Sequence, residues 1–194
     1  MNNLTGGNIM NELNTKMLKK VYNLVYGITG LQFYPVGGAV RDTLYGVTPK
    51  DYDMVLPVGS MAESQAHGIM ETISEDMAIM GFSTKLYQSY GINLGYEINP
   101  TSFQAMFLSC MKVKMRNCQL DLLLSKSETI QDHVRKHDCN MNMVWFDGKD
   151  IKWEHGGVTP FVPMLEFNPD VCGSRIAYMD KKHHELIRHK LMHP

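Results

Sequence analysis

Apolar residues recur at helical spacing through residues 9–26, where Ile9, Met10, Leu13, Met17, Leu18, Val21, Leu24 and Val25 form one stripe. The pattern predicts an amphipathic helix. Leu31 to Val36 reads as a short strand that stops at Gly37-Gly38, and residues 39–45 fit a short helix closed by Gly46. Asp51 to Val58 is expected as a strand with Asp51 and Asp53 on one face and Tyr52 and Met54 on the other. Helical character returns over residues 60–80, with Met61, Ile69, Met70, Ile73, Met77 and Met80 as the apolar set. Phe82 to Tyr90 reads as a strand and Gly91 to Ser102 as a loop. Phe103 to Met115 and Gln119 to Leu124 predict a long hairpin around Arg116-Asn117. A helix over Ser127 to His137, capped by Ser127, follows. From Lys149 the chain is broken by Gly156-Gly157, Pro160, Pro163 and Pro169, and a last helix is expected over residues 174–192. Adjacent strands with outlying helices point to an α+β domain built on a mixed sheet.

Composition refines this picture modestly. The 194 residues suffice for one domain with a real core. The net charge of -1 provides no global basic field, so any contact with nucleic acid has to come from a local patch. Cys110, Cys118, Cys139 and Cys172 show no CxxC spacing, which argues against a zinc ribbon and leaves buried thiols in a reducing compartment. The N-terminal twenty residues carry no apolar core of signal-peptide length, and a cytoplasmic location is expected. The last helix carries Lys181, Lys182, Arg188 and Lys190 with His183, His184 and His189, and His193 follows. The histidine spacing matches no strong metal pattern, and the group fits a polar helix face that could also touch RNA phosphates.

The segment with most chemistry is Val36 to Val55, VGGAVRDTLYGVTPKDYDMV. Two carboxylates on one strand face stand roughly 6–7 Å apart at the backbone, close enough to share or bracket Mg²⁺, which favours a few carboxylates plus phosphate oxygens. Gly37-Gly38 lets the backbone approach a ligand closely. Arg41 could clamp a phosphate, or brace the site by pairing with Asp42. Each element alone has an ordinary alternative: two surface aspartates, a strand-to-helix turn, an exposed salt bridge.

Their order and spacing are more telling. GGAVRDTLYGVTPKDYD resembles the GGxVRDxLLGxxxxDxD signature of class II CCA-adding enzymes and bacterial poly(A) polymerases, within the nucleotidyltransferase superfamily typified by DNA polymerase beta; Tyr45 stands where leucine is usual. Further on, NCQLDLLLSK is similar to the family strand of the form EVATFR, with Asp121 at the acidic position and Lys126 at the closing arginine. KHDCNMNMVWFDG aligns with RRDFTINALAYD and keeps Asp138 and Asn142, expected to share a helix face. The resemblance runs from Phe33 to Gly148. The family's base-selecting EDxxR has no counterpart; Arg175 in VCGSRIAYM is the nearest candidate.

The resemblance implies a polymerase-beta-like head, a mixed and mostly antiparallel sheet flanked by helices. That head would cover residues 1–148, and 149–194 would be an extension holding a neck remnant. It implies metal-holding catalytic carboxylates at Asp51, Asp53 and Asp121, with Gly37, Gly38, Arg41, Asp42, Asp138 and Asn142 around the nucleotide. It implies a two-metal Mg²⁺ site, ATP or CTP as substrate, and an RNA 3′ end, tRNA in particular, as acceptor. The family's helical tRNA-gripping domains have no counterpart in these residues. Three alternatives follow from that: a stand-alone enzyme that modifies a protein or small molecule as toxins do, a non-catalytic nucleotide- or RNA-binding regulator, and a homodimer that supplies acceptor surface in trans.

Overall fold

The computed structural model describes residues 6–88, 103–116 and 118–193. The loop expected over Gly91 to Ser102 lies outside them. Helix α1 (Gly6–Thr29) leads into β1 (Tyr34–Pro35), α2 (Gly38–Leu44), β2 (Asp51–Pro57), α3 (Glu63–Ile79) and β3 (Ser83–Gln88). A short 3-10 turn precedes β4 (Phe107–Lys114), followed by β5 (Gln119–Ser125), α4 (Ile130–Val134), β6 (Val144–Phe146), β7 (Ile151–Trp153) and α5 (Gly173–Met192).

The main sheet has the order β1-β2-β5-β4-β3. Among the described residues of this sheet only β2 and β5 run parallel; the β1–β2, β3–β4 and β4–β5 pairs are antiparallel. The chain thus adopts the expected α+β architecture, a mixed and mostly antiparallel sheet with flanking helices.

Strand alternation divides the sheet into two faces. On the inner face Tyr52, Met54, Leu120, Leu122, Met111 and Val113 pack against Leu18, Val21 and Val25 of α1 and Ala66, Met70, Ile73 and Met77 of α3. The α1 positions are one apolar stripe at helical spacing. The outer face is split. Its far half, with Val55, Leu123, Cys110 and Phe107, is sealed by Val36, Ile130, Val134 and Trp145. Its near half carries Asp51 and Asp53 of β2, Gln119 and Asp121 of β5, Lys112 and Lys114 of β4, and Ser83 and Lys85 of β3. A third cluster of Tyr45, Cys139, Met141, Val162, Met179 and Leu186 fastens α5 to the end of α2.

Three expectations need correcting. The helix expected over Ser127 to His137 shrinks to Ile130–Val134, and its cap is Thr129, whose Oγ1 accepts from the Asp132 backbone N–H at 3.1 Å. Ser127 is instead buried in the bend before it, its N–H donating to Ser125 Oγ at 3.1 Å. Asp138 and Asn142 do not share an α-helix face, because only Asn140–Asn142 is helical, as a 3-10 turn. Residues 144–153 form the β6–β7 hairpin, which the sequence pattern did not suggest.

Leu122 is fully buried at the centre of the inner face. Leu122→Ala is expected to lower stability by about 3 kcal/mol, measured by urea denaturation, with an unchanged denaturant slope.

Candidate active site

Alternation along β2 sends Asp51 and Asp53 to the outer face while Tyr52 and Met54 enter the core. The parallel register sets Asp53 directly opposite Asp121 and Asp51 opposite Gln119. Paired strands lie about 4.8 Å apart, so two like charges are neighbours and a third follows on the same face. Water reaches Asp53, yet protein crowds it: burial first, then the charges of Asp121 and Asp51, push its carboxyl up to about 6 against the pull of Lys112. Asp121 Oδ2 accepts from Lys112 Nζ at 3.1 Å and Oδ1 accepts from Gln119 Nε2 at 3.0 Å. Among the described residues no three His, Cys, Asp or Glu side chains are grouped so that they could hold a metal ion as they stand. Excess negative charge on one face, with Lys112 alone opposing it at Asp53, is what a hard divalent cation would neutralise, and oxygen ligands are the type Mg²⁺ takes.

The glycine turn is tied to this strand. The Val36 N–H donates to the Asp53 carbonyl at 3.0 Å and the Gly37 N–H to the Val144 carbonyl at 3.0 Å. Gly37 has φ 54°, and a Cβ there would lie 3.0 Å from His137 Cε1, so no other residue fits without displacement. His137 Nδ1 donates to the Asn142 carbonyl at 2.8 Å, which fixes the ring beneath the turn. His133 meets it edge-on, 5.2 Å between centroids, and its own Nδ1 shares a 2.8 Å hydrogen bond with Ser125 Oγ. Burial is the largest cause that pushes His133 down to about 3 and His137 down to about 4.

Arg41 is buried behind the turn. Its Nε and Nη2 both donate to Asp42 Oδ1, at 2.8 and 2.7 Å, and Nη1 donates to Asn142 Oδ1 at 2.8 Å. Asn142 Nδ2 donates to Asp138 Oδ1 at 2.7 Å, and Asp138 Oδ2 accepts from Arg175 Nε at 2.5 Å. At the other end Lys182 Nζ approaches Asp42 Oδ2 to 3.3 Å. Burial works against the charge of Asp138, but the Asn142 and Arg175 hydrogen bonds outweigh it and hold the carboxyl below its ordinary value. One polar chain therefore runs Lys182–Asp42–Arg41–Asn142–Asp138–Arg175.

The structure thus gathers the expected residues into two groups. Asp51, Asp53 and Asp121 share the open sheet face. Gly37 and Gly38 form the adjoining turn, and Arg41, Asp42, Asn142 and Asp138 brace it from behind; a Cβ at Gly38 would lie 3.7 Å from Arg41 Nη2. Sequence reasoning missed Lys112, His133 and the buried place of His137, and it set Lys182 on a polar helix face where the structure pairs it with Asp42. The alternation of Lys112 and Lys114 along β4 was a signal for the first; the histidines announced nothing before the turn was folded over them.

No family model matches the chain. Over 119 residues it is 29% identical to a CCA-adding enzyme of Francisella tularensis subsp. novicida (strain U112), covering 60% of this chain and 27% of that enzyme. Over 41 residues it is 49% identical to a CCA tRNA nucleotidyltransferase of Francisella novicida, covering 21% of this chain and 49% of that protein. Among solved structures, a tRNA-processing enzyme with CTP superposes with a TM-score of 0.47 at 19% identity, over 71% of this chain and 32% of that one. The chain spans about a quarter of the length of the CCA-adding enzymes it resembles in sequence.

The buried histidines set the acid limit of the fold. Both have folded pKa values below the ordinary 6.5, so the stability they allow is complete above 6.5 and is lost as pH falls towards about 4 for His137 and about 3 for His133. For His137 the difference is worth roughly 3 kcal/mol, at ~1.4 kcal/mol per pH unit. Denaturant melts from pH 7 to 4 are expected to show this loss, and His133→Gln to reduce it.

Proposed function

We propose that this chain is the catalytic head of a nucleotidyltransferase that moves NMP from ATP or CTP onto the 3′ hydroxyl of an RNA, a tRNA in particular, and releases pyrophosphate. The observation that carries this is the placement of Asp53 opposite Asp121, with Asp51 on the same face, one hydrogen bond from the Gly37-Gly38 turn. The relatives named CCA-adding enzymes support the reaction class. Because the chain spans about a quarter of their length, the acceptor and the activity of the chain alone belong to the proposal.

Asp51, Asp53 and Asp121 would hold Mg²⁺. Bound there, the metal would stabilise charge on the phosphoryl group and lower the pKa of the attacking hydroxyl. The chain's own residues do the positioning. Gly37 and Gly38 leave the backbone bare, so a phosphate can approach without meeting a Cβ. Arg41, fixed at three nitrogens by Asp42 and Asn142, supplies a positive charge held in one place. Lys112 holds Asp121 to one side, which keeps that carboxylate ordered. Arg175, locked to Asp138, sets the start of α5 beside this group, and we take α5, within the 149–194 extension, as the neck remnant.

Two outcomes test this. In the metal-free protein the Asp53 carboxyl is expected to titrate near 6 by NMR and to fall below its ordinary value when Mg²⁺ is added; a titration indifferent to Mg²⁺ would remove the metal from this face. With Mg²⁺, labelled CTP or ATP, and tRNA lacking its 3′ end, label is expected to pass to the RNA. Asp51→Asn with Asp53→Asn is expected to reduce transfer about a thousandfold, as for the loss of several kcal/mol of charge stabilisation. Transfer that survives the double substitution overturns the assignment.

A further inference from the structure

The near half of the outer face holds two rows that cross the sheet. Register places Asp53 opposite Asp121, Asp121 opposite Lys112, and Lys112 opposite Lys85. The second row places Asp51 opposite Gln119, Gln119 opposite Lys114, and Lys114 opposite Ser83. Charge therefore changes sign in the middle of the face: carboxylates on β2 and β5, ammonium groups on β4 and β3. Lys50, just before β2, adds one more cation at the same end. A groove of about 620 Å³ runs over this region, lined among others by Lys50, Asp51, Lys85, Lys112, Lys114 and Gln119.

The carboxylates have two flanks. The β1 side is the Gly37-Gly38 turn with Arg41 behind it, which the proposed function gives to the triphosphate. The β4–β3 side is the lysine face. Transfer to an RNA end brings an anion to each side of the carboxylates, because the acceptor strand also carries phosphates. Adjacent strands are about 4.8 Å apart, so Lys112 and Lys85 lie one and two strands from Asp121, within reach of successive phosphates of an extended strand. Lys85 Nζ also sits 5.0 Å from the centroid of Tyr87, so an aromatic ring borders the cations, the combination that suits single strands.

On the strength of that activity, we propose that the lysine half of this face is the track for the single-stranded 3′ end of an RNA acceptor, its phosphates on Lys85 and Lys114 and its terminal hydroxyl at the carboxylates. Lys112 marks the boundary, since it is already paired to Asp121. The C-terminal helix, whose Lys182 is engaged with Asp42, is not needed for this contact.

The test is binding of a labelled single-stranded RNA with a 3′-deoxy end to the full chain, followed by anisotropy across a salt series. Lys85→Ala with Lys114→Ala removes two phosphate contacts. The slope of log affinity against log salt is expected to fall by about 1.4, a loss of about 25-fold at ~0.1 M salt. Affinity for ATP and CTP is expected to stay unchanged, and Lys85→Arg with Lys114→Arg to restore the slope. An unchanged slope in the alanine pair overturns the track. So does a parallel loss of NTP affinity, which would give these lysines to the triphosphate. So does an acidic peptide that binds more tightly than RNA with the same lysine dependence, which would make the face a protein site. If no NTP yields pyrophosphate while lysine-dependent RNA binding persists, the activity fails and the track stands. If transfer proceeds without the slope change, the track alone fails.

Discussion

The parallel pairing of β2 with β5 is the constraint on which the remaining architecture depends. It brings Asp53 beside Asp121 and so places like charges where burial already disfavours ionisation. Nothing in folding rewards that arrangement. A one-residue slip would send the carboxylates into the core and Tyr52, Met54 and Leu122 to the surface, so the apolar inner face enforces the register. The core holds the charges together, and their repulsion, visible in the raised Asp53 carboxyl, is the price the site carries.

The same sheet face solves a second problem. A charged sheet face cannot be sealed by an apolar helix without burying its carboxylates, and an apolar face left open would expose a large hydrophobic patch. The structure divides the face. Beyond Asp53 and Asp121 the outward residues become Val55 and Leu123, and α4 with Trp145 covers them. Helix α4 can be short because Ser125, His133 and His137 connect it to β5 and to the glycine turn through buried contacts. Its packing therefore positions the turn as well as sealing the sheet.

Much of this was legible in the residue pattern. The alternation of Asp51-Tyr52-Asp53-Met54 located the carboxylates, and Asp121 between Leu120 and Leu122 had to face away from the core. What escaped depends on contacts distant in sequence. Lysines at 85, 112 and 114 are ordinary strand residues until the register places Lys112 and Lys85 in line with Asp121 and Lys114 in line with Gln119 and Asp51. The β6–β7 hairpin was missed because three-residue strands are too short to show a period. The helix over 127–137 was overextended because Ser127 has the chemistry of a cap, and only the fold shows it buried in the bend at Ser125 while Thr129 caps instead. Asp138 and Asn142 were placed together correctly for a reason other than a helix face: a direct hydrogen bond across a 3-10 turn.

The braced group behind the turn bears on the division of charge. Lys182, Arg41 and Arg175 against Asp42 and Asp138 leave one positive charge in excess, while Asp51, Asp53 and Asp121 against Lys112 leave two negative. A polyanion on the turn side and a cation on the carboxylate side are each complementary to what surrounds them, and neither alone satisfies both. Arg175 and Lys182 stand seven residues apart on α5, two helical turns on one face, and grip Asp138 and Asp42 respectively. The helix is thus anchored through the very acids that orient Arg41. A displacement of α5 that breaks the Arg175 grip leaves the half-buried Asp138 carboxylate without its cation, whereas Asp42 keeps Arg41 when Lys182 leaves, so the glycine turn and the C-terminal helix are coupled chiefly through Asp138.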